Sequence, residues 1–412
     1  MLLVKLAVRN LMRHKRRTLL TAGIIAVAVF YFLLFDTLLV GMDEMAYDNL
    51  IDFDSGHIQV TTTGFWEDKE KLPVEHLLTA GPEILETAGS VEGLAGITGQ
   101  LDFTARLNDG SEELPVRGRG IDPETIKEVF ALEDYFIEGS LFKNGEYRVV
   151  MGKKLAELLE LEVGDFITLL LRTKEDYFNT IDAEIAGFFH TPYPVINEYV
   201  VYVPLDIAQQ ALNAEGELSH LVLRLNHRAR TETVASNLQA QLARYDDSLL
   251  AAPWYEQEAV AVSGAKNAGA QLILAIILMI AAIGIINAVI LAALERKGEI
   301  GMMKAQGLQE KEIVLLFVLE SAGIGILGGL AGCLAGIPGV GLLVKYGVDF
   351  TAMIDMEMSE YGIPILGAIY GRWMPKSFIF VFLYGFLVSL AAGILPAYWA
   401  ARKDPVEAIY NR

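Results

Sequence analysis

Residues 18–40 read TLLTAGIIAVAVFYFLLFDTLLV, an apolar run of 23 residues in which Asp36 is the only charged position. At about 1.5 Å per residue, a helix of this length crosses a hydrocarbon core of roughly 30 Å. A cleaved signal peptide is the competing interpretation, but the run is too long for its apolar region and no small-residue cleavage site follows. We therefore expect an uncleaved membrane helix over residues 18–42.

The segment before this run, residues 1–17, carries six cations and no acidic residue. Its apolar residues recur at near-helical spacing among these cations, at Leu3, Leu6, Val8, Leu11 and Met12. This pattern is typical of an amphipathic helix on the cytoplasmic leaflet of a membrane, although a disordered basic tail is the simpler alternative.

Charge is distributed unevenly along the chain, whose formal net charge is −19. Residues 43–267 hold 40 of the 52 acidic residues and only 17 basic ones. A basic flank, an apolar span and an acidic domain in this order place the N-terminus in the cytoplasm and residues 43–267 outside. The acidic balance argues against nucleic-acid binding. Cys333 is the single cysteine, so that neither an intrachain disulfide nor a thiolate metal cluster can form.

Three further apolar runs follow the acidic domain, at residues 268–294, 313–346 and 377–401. Four spans return the C-terminus to the cytoplasm. The connecting segments agree with this topology, because residues 295–312 and 402–412 are rich in Lys and Arg whereas residues 347–376 carry acidic side chains. We expect a multi-pass membrane protein with both termini in the cytoplasm.

The acidic region, residues 43–267, has the pattern of a folded α+β domain. HIQVTTT from His57 and LPVRGRGI from Leu114 alternate as strands do, and IDAEIAGFF and YVVYVPL add two more. In residues 152–171, a short amphipathic helix passes through a Gly-Asp turn into a strand. The expected fold is thus four transmembrane α-helices, one before and three after a large extracytoplasmic α+β domain.

Two motifs flank the last two membrane runs. ERKGEIGMMKAQGLQEKEI occupies residues 295–313, and PAYWAARKDPVEAI occupies residues 396–409. They resemble the signature segments of the FtsX/MacB-type permease family, which includes the lipoprotein-releasing permeases of ABC transporters. GKKLAELLELEVGD, at residues 152–165, is similar to a third element of that family. The resemblance extends over essentially the whole chain.

This resemblance implies more than the sequence pattern alone. The outer domain would contain a porter-like core in residues 43–90 and 195–267, with a β-rich subdomain inserted between them. The cytoplasmic turn would be a coupling helix that docks into an ATPase subunit. Its candidate docking residues are Glu295, Arg296, Glu299, Ile300, Gly301, Met303, Lys304 and Gly307. A solvated turn is the simpler interpretation of the charges alone.

The chain carries no catalytic signature. A phosphate-binding loop requires G-x-x-x-x-G-K-[ST], and the one Gly-Lys pair, Gly152–Lys153, lacks the rest of the motif. The histidines show no metal-ligand spacing. We therefore expect no enzyme activity and no bound cofactor, with ATP and Mg²⁺ on a separate ATPase chain. The resemblance implies two ATPase copies and a dimer of this permease, either with itself or with a relative.

Glycines recur at four-residue spacing in the third apolar run: Gly325 and Gly329 form one row, and Gly328, Gly332 and Gly336 form another. Small residues on one helical face allow helices to approach closely in lipid, within the chain or across a dimer. Asp36, Asn287 and Glu320 are polar positions within apolar runs, and we expect Asp36 and Glu320 to lie near the two membrane interfaces.

Three functions fit this architecture. The first is extraction of lipoproteins or a similar lipid-linked cargo from the outer leaflet, with handover to a periplasmic carrier. The second is MacB-like efflux with an adaptor and an outer-membrane channel, and the third is FtsX-like signalling to a cell-wall hydrolase. One departure bears on the first: the carrier-binding hook of the lipoprotein system corresponds here to the short segment Arg172–Thr180.

Overall fold

A computed structural model describes residues 2–295, 299, 302–304, 306–349 and 367–402. The described residues fall into two compact units. The helical unit comprises the described residues within 2–43, 265–349 and 368–402, and the sheet unit comprises residues 44–264 with Gly367.

Twelve α-helices are numbered here along the described chain. They are α1 (Leu2–Arg13), α2 (Lys15–Leu50), α3 (Thr63–Glu67), α4 (Pro82–Gly89), α5 (Ile126–Val129), α6 (Lys153–Leu158), α7 (Pro194–Tyr199), α8 (Leu205–Leu212), α9 (Thr231–Leu242), α10 (Glu258–Leu294), α11 (Glu310–Tyr346) and α12 (Pro375–Arg402).

Four helical segments are long and apolar enough to cross a membrane: Lys15–Ser55, in which a π-helical turn over Ile51–Ser55 continues α2, Ala268–Leu291, Glu310–Tyr346 and Pro375–Tyr398. They coincide with the four apolar runs, so the predicted arrangement of one span followed by three is confirmed. The third run stays a single helix although Pro338 lies inside it. A proline removes one backbone hydrogen bond from a helix. In lipid no water can bond the remaining backbone groups, so the helix continues on both sides of the proline.

The four spans share one apolar core, in which Ile25, Val29 and Leu33 of α2 are almost fully buried. Ile285 of α10, Ile324 of α11 and Val381 of α12 complete this core. The helices therefore pack on one another through aliphatic side chains, and their remaining faces expose large apolar residues, such as Leu19, Leu272 and Ile379. An apolar exterior of this kind is what a lipid environment requires.

Twelve strands lie among the described residues of the sheet unit. They are β1 (Ile58–Thr62), β2 (Leu78–Thr79), β3 (Leu94–Asn108), β4 (Glu113–Ile121), β5 (Phe136–Gly139), β6 (Arg148–Gly152), β7 (Phe166–Arg172), β8 (Phe178–Phe189), β9 (Val200–Pro204), β10 (Glu217–Leu218), β11 (His220–Leu225) and β12 (Leu249–Pro253). The strands expected from alternation in the sequence are all present, as β1, β4, β8 and β9.

Ten strands join in one mixed sheet of order β12-β1-β11-β3-β4-β9-β6-β8-β5, in which β7 pairs with β3 and β8. The pairs β4–β9 and β6–β8 are parallel, whereas the other recorded pairs in this sheet are antiparallel. Strand β3 connects the two halves, because its first part pairs with β11 and its last four residues pair with β7. The predicted core and insertion therefore share one continuous sheet.

The sheet unit contains several apolar clusters. One contains Ile58, Leu223 and Leu238, on β1, β11 and α9. Another contains Leu107, Leu169 and Ile181, on β3, β7 and β8. In the sheet unit, the last turns of α2 are fixed by Arg228, which forms ion pairs with Glu44 and, at 2.7 Å, with Asp48. The C-terminal part of α2 is thus an integral element of this unit.

Candidate functional site

Gly307 shapes the described end of the turn between α10 and α11, which the sequence predicts to be cytoplasmic. This residue has a φ of 95°, a conformation that favours glycine, and its amide donates to the carbonyl of Lys304 at 3.0 Å. Gln309 then caps α11 through a capping box with Glu312. Of the predicted docking residues, Glu295, Glu299, Met303, Lys304 and Gly307 are described, whereas Arg296, Ile300 and Gly301 lie outside the described residues.

Two adjacent methionines on this turn have different surroundings. Met303 packs against Ile313 and Phe317 of α11 and Ala397 of α12, so it faces the helix bundle. Met302, which the sequence did not single out, is 55% exposed. The apolar side chain available to a partner among the described residues of the turn is therefore Met302, while Met303 anchors the turn to the bundle.

The N-terminal helix contacts both the turn and the third span. Nε2 of His14 lies 3.4 Å from Oε1 of Glu299. Nδ2 of Asn10 donates to Oε1 of Glu320 at 2.6 Å, and Glu320 is only 4% exposed. Lys304 pairs with Glu310 at 3.1 Å, at the start of α11. The turn is thus connected by polar contacts to His14, just after α1, and to the start of α11, and by apolar contacts to α11 and α12.

Helix α1 presents two faces. Ala7 is buried and Leu11 packs against the helix core, whereas Val4, Val8 and Met12 are each more than half exposed. Val4, Val8 and Met12 are spaced by four residues and so form an apolar stripe, flanked by Lys5 and Arg9. An exposed apolar stripe beside cations suits a helix that lies at a lipid surface.

The two glycine rows of α11 lie against different neighbours. A Cβ atom at Gly328, Gly332 or Gly336 would lie 2.6 Å from Ile25, Val29 or Leu33 of α2, respectively. A Cβ at Gly325 would lie 2.8 Å from Ser389, and one at Gly329 would lie 2.8 Å from Phe382, both on α12. For the contacts with α2, the residue numbers increase in the same direction on both helices. For the contacts with α12, they increase on α11 while they decrease on α12. Hence α2 is parallel and α12 antiparallel to α11.

The sheet unit contains a buried cluster of charged side chains. Arg119 of β4 bonds to Asp102 of β3 through Nε at 2.6 Å and Nη2 at 3.0 Å, and Nη2 also reaches Asp54 at 3.0 Å. Burial alone would raise the pKa of the Asp102 carboxyl, but the neighbouring Arg119 outweighs burial and holds that pKa below its ordinary value. The cluster thus keeps its charges although Arg119 and Asp102 are almost fully buried.

Two buried histidines in the sheet unit are neutral at pH 7. Burial, reinforced by Arg224 and Arg228, lowers the pKa of His57 to about 4. Burial also lowers the pKa of His220 to about 4, and its Nε2 lies 3.0 Å from Oε1 of Gln100. His220 borders a cavity of about 200 Å³, together with Arg117, Arg119, Asp102 and Trp66. Over the described residues, no group of three or more His, Cys, Asp or Glu is placed to hold a metal.

The turn between β7 and β8 is short. The amide of Thr173 donates to the carbonyl of Tyr177 at 2.8 Å, and Arg172 pairs with Asp176 at 2.6 Å. The Arg172 guanidinium also lies 4.9 Å from the centroid of the Phe178 ring. Tyr177 and Phe178 are strongly exposed at this tip. The segment therefore forms a tight turn that displays two aromatic side chains.

Comparison with protein-family models gives two matches. The MacB-like periplasmic core domain matches residues 18–241, and the FtsX-like permease C-terminal domain matches residues 272–405. Together the two models cover most of the chain.

Similar curated proteins include a lipoprotein-releasing system transmembrane protein LolC of Xylella fastidiosa, 24% identical, with 97% of this chain and 96% of the relative covered. An uncharacterized ABC transporter permease of Methanocaldococcus jannaschii is 23% identical over 99% of this chain and 97% of its own length. The macrolide export ATP-binding/permease protein MacB 2 of Aeromonas hydrophila is 22% identical, and this chain spans 60% of its length.

Two solved structures also resemble part of the chain. The extracellular domain of the ABC-type transporter YknZ from Gram-positive bacteria gives a TM-score of 0.34 at 13% identity, over 48% of this chain and 99% of that one. The periplasmic region of MacB from Actinobacillus actinomycetemcomitans gives 0.35 at 11% identity, over 50% of this chain and 92% of that one.

Proposed function

Because this chain belongs to the ABC transporter permeases that combine a MacB-like periplasmic core domain with an FtsX-like permease domain, we propose that it extracts a lipid-linked cargo from the outer leaflet of a bacterial inner membrane. ATP hydrolysis on separate subunits supplies the energy, and the permease transmits it as mechanical movement. Lipoproteins are the cargo class that this proposal favours.

The connection of the cytoplasmic turn to the helices carries the mechanical part of the proposal. Met303 packs on Ile313, Phe317 and Ala397, and His14 approaches Glu299 at 3.4 Å. Because protein interiors are close-packed, a displacement of the turn moves the packed ends of α11 and α12 with it. The exposed Met302 is the apolar group that we assign to the ATPase groove.

The partners follow from this arrangement. The sequence lacks a phosphate-binding loop, so the proposal requires an ATPase chain, which we expect in two copies on a dimer of permeases. ATP and Mg²⁺ then bind only to the ATPase. A homodimer and a heterodimer with a related permease fit the proposal equally, and a periplasmic carrier or adaptor would bind the sheet unit.

The cargo is proposed from the relatives. The LolC relative matches this chain over nearly the full length of both proteins and is named for lipoprotein release. The MacB relatives are named as ATP-binding/permease proteins, and this chain spans about three fifths of the length of two of them. MacB-like efflux is therefore the second candidate, and the tight β7–β8 hairpin with exposed Tyr177 and Phe178 favours it over a hook-bearing carrier site. FtsX-like signalling to a cell-wall hydrolase is the third candidate.

A charge reversal tests the docking assignment. Glu299→Lys should reduce copurification of the ATPase and the ATP hydrolysis rate of the complex, while the permease still elutes as a folded protein. His14→Ala removes the contact between His14 and Glu299 without reversing a docking charge. Glu92→Lys, on an exposed residue of the sheet unit, is the matched charge-reversal control. Normal ATPase binding by Glu299→Lys would refute the docking assignment.

The cargo is tested on the complex of permease and ATPase in proteoliposomes that contain a diacylated lipoprotein or a macrolide dye. ATP should release lipoprotein into the supernatant in the presence of a soluble carrier. If the dye is transported and the lipoprotein stays in the membrane, efflux replaces extraction. If neither moves, signalling is the remaining function.

A further inference from the structure

A crevice opens between three spans of the helical unit. Its volume is about 340 Å³, and its lining comes from α2, α10 and α12. Asp36, Gln271, Lys376 and Ser377 supply its polar groups. Among its apolar lining residues, Phe32 and Phe380 contact each other, with ring centroids 6.0 Å apart.

The polar and apolar residues of this crevice lie at different depths in the helix bundle. Phe32 precedes Asp36 by four residues on α2, and Phe380 follows Lys376 by four on the antiparallel α12. In a helix, four residues are about one turn, or roughly 6 Å. The charged groups therefore lie at one end and the apolar side chains lie a turn further into the bundle. Beyond them, the Tyr384 hydroxyl donates to the carbonyl of Leu278 at 2.7 Å and joins α12 to α10.

Asp36 presents an energetic problem in this position. Its side chain is 9% exposed, and Oδ2 has no hydrogen-bond partner among the described residues. Lys376 lines the same crevice, yet the two charges do not come within 4.0 Å of each other. An ionised carboxylate that is buried without a donor costs several kcal/mol. A donor from outside the chain would remove that cost.

We propose that this crevice binds one phospholipid with an ethanolamine headgroup. The primary ammonium donates to Asp36, Lys376 pairs with the phosphate, and an acyl chain lies along Phe32 and Phe380. The two separated charges of the crevice match the two opposite charges of this headgroup. The apolar depth matches an acyl chain, so a lipid fits the crevice better than a free soluble amine. The proposal does not depend on the identity of the cargo, because it concerns an ordinary membrane phospholipid.

Native mass spectrometry of the full, delipidated chain tests the proposal. Phosphatidylethanolamine, phosphatidylcholine and phosphatidylglycerol with identical acyl chains are titrated in parallel. Phosphatidylcholine keeps the phosphate and positive charge but has no N–H donor, so it isolates the hydrogen bond to Asp36. Phosphatidylethanolamine should bind about tenfold more tightly than either, as expected for one charge-assisted hydrogen bond.

Three variants locate the effect. Asp36→Asn should reduce binding of phosphatidylethanolamine to the level of phosphatidylcholine. Lys376→Gln should weaken both lipids, whereas Lys345→Gln, at the C-terminal end of α11, should weaken neither. Leu274→Trp fills the crevice while Asp36 stays in place, and it should abolish the preference even if Asp36→Asn fails to fold.

Equal binding of the three lipids to the unmodified chain would refute the proposal. So would a preference that survives Asp36→Asn or Leu274→Trp. Glycerophosphoethanolamine, which is the same headgroup without acyl chains, should compete poorly. If it competes as well as the lipid, the crevice binds a soluble amine and the assignment to a lipid is wrong.

Discussion

Asn10 donates from Nδ2 to Oε1 of Glu320 at 2.6 Å, although the two residues lie 310 positions apart in the chain. This contact connects the N-terminal amphipathic helix to the buried part of the third span. Helix α1 is therefore part of the helix bundle as well as a candidate lipid-surface element. A movement of α11 has to move α1 or break this bond.

The Asn10–Glu320 bond should stabilise the bundle. Asn10→Ala should lower the stability of the chain in detergent by about 1.5–3 kcal/mol, because the bond has a charged acceptor that is buried. Thermal unfolding followed by tryptophan fluorescence measures the change. Met12→Ala, on the exposed face of the same helix, should change stability by less than about 0.5 kcal/mol. Equal losses for the two variants would contradict a specific role for the bond.

The row of glycines that faces α2 should tolerate no methyl group. Gly332→Ala places a Cβ 2.7 Å from the backbone oxygen of Ala26 and 2.6 Å from Cβ of Val29, so α2 must shift. Overpacking of this kind costs about 1–3 kcal/mol. Gly284→Ala on α10 is the control, because its Cβ would lie 3.8 Å from Ile24 and alanine favours a helix. The melting temperature should fall for Gly332→Ala and hold or rise for Gly284→Ala.

Stability should fall between pH 6.5 and pH 4. Burial lowers the pKa of His220 from 6.5 to about 4. Between these two pH values, His220 is protonated in the unfolded chain but neutral in the folded chain. The unfolded state then binds more protons, and the stability contribution present above pH 6.5 is lost as pH falls to 4. For His220 the loss is of order 3 kcal/mol. His220→Gln should flatten the slope of melting temperature against pH, whereas His227→Gln, on an exposed residue, should leave it unchanged.

Membrane orientation is predicted from the charge of the connecting segments. After Cys333→Ser, a cysteine placed at Ser111 should react with a membrane-impermeant thiol reagent in spheroplasts, and a cysteine at Gln309 should react only after lysis. Both native side chains are exposed, so access depends on the side of the membrane. Labelling at Gln309 in sealed spheroplasts would overturn the predicted topology.

The spans and most strands could be predicted from the sequence, because length and alternation of apolar residues are local signals. The burial of Arg119 could not be predicted from the sequence. In LPVRGRGI, Arg117 and Arg119 alternate like the solvent face of a strand, and Asp102, which neutralises Arg119, lies on another strand. The contact between Asn10 and Glu320 was hidden for the same reason, since nothing local marks two distant polar residues as partners.

In the candidate docking turn, the sequence identified the segment but not its faces. Met302 and Met303 are neighbours in a short charged stretch, where an apolar periodicity cannot be measured. Only the packing of Ile313, Phe317 and Ala397 distinguishes the inward Met303 from the exposed Met302. The two glycine rows of α11 were visible as a spacing, whereas their assignment to α2 and α12 required the contacts.

The match between α11 and α2 restricts how the two helices can slide. Ile25, Val29 and Leu33 are spaced by four residues, as are Gly328, Gly332 and Gly336 that receive them. Between two such positions, each aliphatic side chain would meet a larger residue of α11, so intermediate offsets are unfavourable. Axial movement of α2 against α11 should therefore occur in steps of one helical turn, about 6 Å, or not at all. Distances between spin labels on the two helices should either stay constant or change by that step during ATP turnover, and a continuous drift would contradict this expectation.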